Sequence, residues 1–158
     1  MKRLKVIRFL ITSSIITSMI IVMNTSIFSV TTGFSFTMDY EYVNGKNNGI
    51  TYTLPDGIMT INGNIWVYSK DQTTYPNPLP VTIEVWDDDG SIFNPDDFIG
   101  SLTVQPVSTL DQKVPFNSNF GYVSPDDEND PGEYYIVAKK SSYADGYNLK
   151  GLGTLSTN

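Results

Sequence analysis

An all-β fold, an antiparallel β-sandwich of about seven to eight strands, is what the sequence predicts for the chain beyond residue 33. Three observations carry it. Apolar and polar residues alternate with a period of two from Phe34 onward, turn-forming clusters recur at close intervals, and nowhere does apolar spacing of three and four persist for three turns. One domain, residues 34–158, is expected, because the length suffices to bury a single core and no repeat or low-complexity tract divides it.

Phe34, Phe36, Met38, Tyr40 and Tyr42 alternate with Ser35, Thr37, Asp39 and Glu41, the period of a half-buried strand. Asn44-Gly45 and the run from Lys46 to Gly49 form a turn across which Ile50 to Leu54 pairs back, before Pro55-Asp56-Gly57 turns the chain again. Ile58 to Tyr68 is the next strand, with Ile61, Ile65 and Val67 on one face, Trp66 and Tyr68 on the other, and Gly63 marking a bulge. Asp71 to Pro80 contains three prolines and reads as a loop. Val81, Ile83 and Val85 alternate with Thr82, Glu84 and Trp86 in a strand that ends at Asp87-Asp88-Asp89, and Phe98, Leu102 and Val104 supply its hairpin partner. Val114 to Tyr122, Tyr134 to Ala138 and Tyr147 to Leu155 complete the set.

The first 33 residues are built differently. Lys2, Arg3, Lys5 and Arg8 form a positive head, and a Ser/Thr-dotted apolar stretch from Phe9 to Val30 contains no acid. That layout predicts a signal peptide over residues 1–33, cleaved before Phe34, and a secreted, extracellular protein. The apolar stretch is also long enough to span a bilayer, so an uncleaved N-terminal anchor facing outside is the alternative. Ile-, Asn- and Lys-rich, Arg-poor usage points to a bacterial source.

All 17 acids lie beyond the leader against six Lys and no Arg, a net charge of −11. Nucleic acid is an unsuitable partner for such a surface, and an anionic membrane would repel it, so no stable membrane contact is expected after cleavage. The absence of His and Cys removes Ser-His-Asp and Cys-His catalysis, disulfides, and ordinary zinc, copper or haem sites. Hard, oxygen-ligated ions are the metals that suit this composition.

Ten of the acids fall in two runs: Asp87, Asp88, Asp89, Asp96 and Asp97 in one, and Asp126, Asp127, Glu128, Asp130 and Glu133 in the other. Calcium takes six to eight oxygens in flexible geometry. Asp87 and Asp89 share one side of a strand end with Asp97 across the hairpin mouth, a three-carboxylate cup to which Asp88, Asn94 and Asp96 could add donors. Acid-rich hairpin tips are equally often solvated turns, so both readings stand. The second run lacks the ordered spacing of an EF-hand loop and reads as an exposed loop.

The stretch Val85-Trp86-Asp87-Asp88-Asp89, followed by Asp97-Phe98-Ile99-Gly100, resembles the third calcium-binding loop of C2 domains, and it is similar to a hairpin of transthyretin-like secreted proteins. The resemblance implies a C2-like sandwich, with an immunoglobulin-like one as the other variant. It also implies Asp87, Asp89 and Asp97 as calcium ligands and Gly100 as the residue easing the return into the sheet. The C2 first loop has no counterpart here, so phospholipid binding is not carried over.

Trp66, Trp86 and ten tyrosines could stack on sugars or meet a protein, although most such residues serve as core or cross-strand pairs. Carboxylate-only hydrolysis needs two acids about 5 to 10 Å apart in a cleft, for which Glu84, Asp87 and Asp97 are candidates that no spacing selects. The expected function is a secreted, non-enzymatic binding module with a calcium site in the Asp87 to Asp97 loop. Its rival is a calcium-independent interaction protein such as an inhibitor, toxin or adhesion module, and a small hydrolase comes third. Its partner, protein or carbohydrate, is not named by the sequence.

Overall fold

The structure, a computed structural model, describes residues 29–72, 75–90, 95–124, 132–142 and 145–158. It is an antiparallel β-sandwich. Nine strands are arranged as β1 (Val30–Met38), β2 (Tyr42–Asn44), β3 (Tyr52–Leu54), β4 (Gly57–Lys70), β5 (Val81–Asp87), β6 (Phe98–Val104), β7 (Val114–Val123), β8 (Gly132–Lys140) and β9 (Tyr147–Thr157). One sheet has the order β1-β9-β4-β7; the other runs β2-β8-β5-β6, with β3 also pairing with β8.

The strand count exceeds the expectation because the alternating run from Phe34 to Tyr42 serves two sheets. It breaks at Asp39 to Glu41, where the chain leaves β1 and crosses to β2 in the opposite layer. Ile50 to Leu54 does not pair back on β2: β2 takes Val137 to Lys139 of β8, and β3 takes Gly132 to Tyr134. A 3₁₀ turn, Lys46–Asn48, carries the chain between them, fixed by Gly45 N–H donating to the Ile136 carbonyl at 2.9 Å. The sandwich also begins before the expected boundary, since Val30 to Gly33 pair with Thr157 to Thr154 of β9.

Gly63 marks no bulge. The irregularities of β4 fall at Met59/Thr60 and Val67/Ser69. Gly63 instead pairs with Gly153, and the outer neighbours of that pair are Phe116 on β7 and Phe34 on β1. The Phe34 and Phe116 rings stack at 6.3 Å across the two glycines. A Cβ on Gly63 would lie 2.5 Å from Phe116 Cζ and 2.7 Å from the Leu152 carbonyl oxygen. Small residues here are thus a packing requirement: inward-facing rings cover the backbone of their sheet. Gly151 under Phe36 repeats the device, and Gly100 of β6 makes room for the Phe120 ring reaching over from β7 of the opposite sheet. Ile61, Ile65, Val67, Ile83, Val85, Leu149 and Leu155 fill the rest of the core.

At the end where β8 turns into β9, Lys140 and Asp145 form a fully buried ion pair at 2.6 Å. The Lys140 ammonium also donates to the Tyr147 carbonyl (2.7 Å), while Asp145 accepts from the Leu79 N–H (3.0 Å) and the Tyr147 N–H (3.2 Å). Both charges therefore keep hydrogen-bond partners after leaving water, as burial demands.

Candidate functional site

Strand β5 ends on the acidic loop as its alternation predicts. Asp87, last in the strand, pairs across to Tyr134, and its N–H donates to the Asp97 carbonyl at 2.8 Å, which closes the hairpin mouth. The Asp88 N–H donates to the Glu133 carbonyl at 2.6 Å, so the start of the β5–β6 loop is stitched to β8. Gly90 sits at φ +60°, a left-handed position that suits glycine, and its N–H donates to Asp88 Oδ1 at 3.0 Å.

The electrostatic centre is a lysine. Lys46 Nζ lies 2.6 Å from Asp88 Oδ1 and 2.7 and 2.9 Å from the two oxygens of Asp96. The Tyr135 hydroxyl donates to Asp96 Oδ2 at 2.7 Å, and the same ammonium stands 5.8 Å from the Tyr135 ring centroid. Asp96 also accepts the Asp89 N–H. The structure thus gathers Asp88 and Asp96, two of the three expected as auxiliary donors, while Asp87 and Asp97 meet through the backbone and Asp97 remains exposed. Asn94 lies outside the described residues, as do Asp126, Asp127, Glu128 and Asp130. Among the described residues, no group of three or more acids is placed to hold a metal ion. Sequence reasoning missed Lys46 because it arrives from a turn more than 40 residues upstream; its one signal was a lone cation in the Asn44 to Gly49 turn.

Titration follows from this geometry. Burial pushes the Asp96 carboxyl up, but hydrogen bonds from Lys46 and Tyr135 outweigh it and hold the group below its ordinary value. Hydrogen bonds to Asp88 and then Asp96 raise the Lys46 ammonium. Burial, followed by the charges of Asp87 and Asp56, raises the Tyr134 phenol, whereas Tyr135 is raised by burial and then by its bond to Asp96. A depressed acid stabilises the fold above its unfolded pKa, and that contribution is lost as pH falls through the folded value. A raised phenol stabilises below its unfolded pKa and loses that contribution as pH climbs. Urea midpoints are therefore expected to hold between about pH 4 and 10 and to fall outside both limits. Lys46→Met should shrink the acid limb; an acid limb identical in wild type and variant would refute the assignment of Asp96.

Beside the loop, the outer face of the β2-β8-β5-β6 sheet is satisfied internally. Glu84 pairs with Lys139 at 2.5 Å and accepts the Trp86 indole N–H at 3.1 Å. Trp86 lies on the Thr82/Glu84 side as expected and meets Phe98 edge to face at 5.1 Å, leaving Phe98 half-exposed. Of the three nominated carboxylates, Glu84 lies on this face and is paired with Lys139, while Asp87 and Asp97 meet at the hairpin mouth through their backbones.

The sequence matches no family model and no curated protein. Among solved structures the chain is similar to one described as the structure of infectious bursal disease virus Gx strain, at 14% identity and a TM-score of 0.36, over 82% of this chain and 31% of that one. The chain therefore spans about a third of that protein's length. Among the described residues, no helix is long and apolar enough to cross a membrane.

Proposed function

We propose that the protein is an exported, non-enzymatic β-sandwich binding module whose acidic loop is tied down by an internal lysine. The observation that supports this most is the Lys46 ammonium between Asp88 and Asp96. A cation supplied by the chain itself bridges those two carboxylates and ties the start and the end of the loop to the Lys46 turn without calcium. A catalytic role gains little from the rest of the fold. The slot of about 200 Å³ between β1 and the β2–β3 segment is lined by Phe34, Phe36, Val43, Ile50, Tyr52 and their neighbours, without a carboxylate that could serve as general acid.

A calcium-binding module is the second reading, favoured by the Asp87 N–H to Asp97 contact, which keeps those two candidate ligands adjacent at the hairpin mouth. Thermal unfolding of residues 30–158 in EDTA, millimolar calcium and millimolar magnesium separates the two. The first reading expects no calcium-specific rise. Calcium at 100 times its dissociation constant would add about 2.7 kcal/mol, several degrees for a domain of this size. A rise of that kind, abolished in Asp87→Asn or Asp89→Asn, would overturn the first reading in favour of the second.

A further inference from the structure

A lysine amine and an aspartate carboxyl held in contact away from water are also the two halves of an amide. Lys140 Nζ lies 2.6 Å from Asp145 Oδ1, with side-chain exposures of 1% and 0%. Lys140 closes β8, and Asp145 stands in the turn before β9. There Gly146 adopts a left-handed φ of +70°, and its carbonyl takes the Asp71 N–H at 2.8 Å. Each polar atom of the pair has a fixed direction. The ammonium donates to the Tyr147 carbonyl at 2.7 Å, the Leu79 N–H donates to Asp145 Oδ2 at 3.0 Å, and the Tyr147 N–H donates to Oδ1 at 3.2 Å.

From this geometry we propose that Lys140 and Asp145 condense, with no second protein, into an intramolecular isopeptide bond. The ammonium proton that faces Oδ1 passes to that oxygen, which leaves a neutral amine beside a carboxylic acid. The Nζ lone pair then attacks Cγ, and the negative charge that develops on Oδ2 is met by the Leu79 N–H, a donor already in place. Oδ1 takes a second proton from the nitrogen and departs as water. One N–C bond forms as one C–O bond breaks, and no oxidant, reductant or co-reactant is consumed. An open slot of about 370 Å³, bounded by Pro80, Thr82, Lys139, Lys140 and Ser141, gives the water a way out.

Two effects favour the amide over the ion pair. Holding the groups in contact gives the amine an effective concentration at the carboxyl of about 10⁵ M or more, which offsets the mass action of water that drives amides back to acid and amine. A neutral amide also escapes the desolvation penalty that a buried ion pair carries. Its N–H keeps the Tyr147 carbonyl and its oxygen keeps the Leu79 N–H; only the Tyr147 N–H, the longest of the three contacts, loses its acceptor. In a chain without cysteine, such a bond is a covalent tie that the composition still permits.

Peptide mapping by mass spectrometry tests this on the full chain, unfolded and digested with trypsin after purification. The stretch Lys140 to Lys150 should be recovered uncut after Lys140 and lighter than its sequence by one water, with fragment ions joining Lys140 to Asp145. Lys140→Arg keeps a positive charge but offers no amine, and its peptide should carry the full mass. If that variant fails to fold, the fragment ions of the wild-type peptide decide alone. A wild-type digest cut normally after Lys140, with residues 141–150 at full mass, would overturn the proposal. So would a loss of water that persists in Lys140→Arg or that hydroxylamine cleaves, because the Asp145-Gly146 step can lose water by itself through a succinimide.

Discussion

Gly153→Val is expected to be among the most damaging single changes in the molecule, costing about 3 kcal/mol or more as an overpacked core position. A Cβ there would stand 2.7 Å from Phe34 Cζ and 2.8 Å from Gly63 Cα on the partner strand. The ring could swing aside, but only by giving up its stack on Phe116; the backbone could move only by opening the β4–β9 ladder. Gly33→Ala is the matched control. Gly33 pairs with Thr154 on the opposite face, and its added Cβ would meet nothing nearer than the Gly153 carbonyl oxygen at 3.9 Å. Urea denaturation should show Gly33→Ala within about 0.5 kcal/mol of wild type. Equal stability of the two variants would refute the packing account of the glycine row.

Lys140→Met should be of similar severity for a different reason. It leaves the fully buried Asp145 carboxylate with two backbone N–H donors and no counter-charge, and it strips the Tyr147 carbonyl of its donor. Breaking one side of a buried pair costs about 3 to 5 kcal/mol. Removing both charges in Lys140→Met/Asp145→Asn should recover part of that loss, since the uncompensated anion is gone. Chemical denaturation of the three proteins measures both effects. A single variant within about 1 kcal/mol of wild type would mean that water reaches the pair and that burial does not decide its energetics.

Both effects sit at residues to which the sequence drew no attention. Gly151 and Gly153 passed as ordinary positions of the predicted Tyr147 to Leu155 strand, because a glycine's role beneath an aromatic ring depends on which strand lies beside it. Lys140 and Asp145 are ordinary charged residues until the turn between β8 and β9 folds them inward. The acidic loop shows the same limit. Alternation along Val81 to Trp86 placed the end of β5 and the outward side of Trp86, since a period of two is a local property of the chain. It could not foresee that Asp88 and Asp96 would share an ammonium from the Lys46 turn.

What the sequence determined by itself was therefore what has a short period or none: the alternation within most of the strands, the all-β class, and the exclusion of His- and Cys-based chemistry by composition. The tertiary structure alone decided which strands became neighbours. It split Phe34 to Tyr42 between two layers and put a lysine among the acids. The physical reason is that side-chain alternation is fixed by the geometry of a single strand, whereas pairing and charge compensation depend on contacts between residues far apart in the chain, which no local pattern encodes.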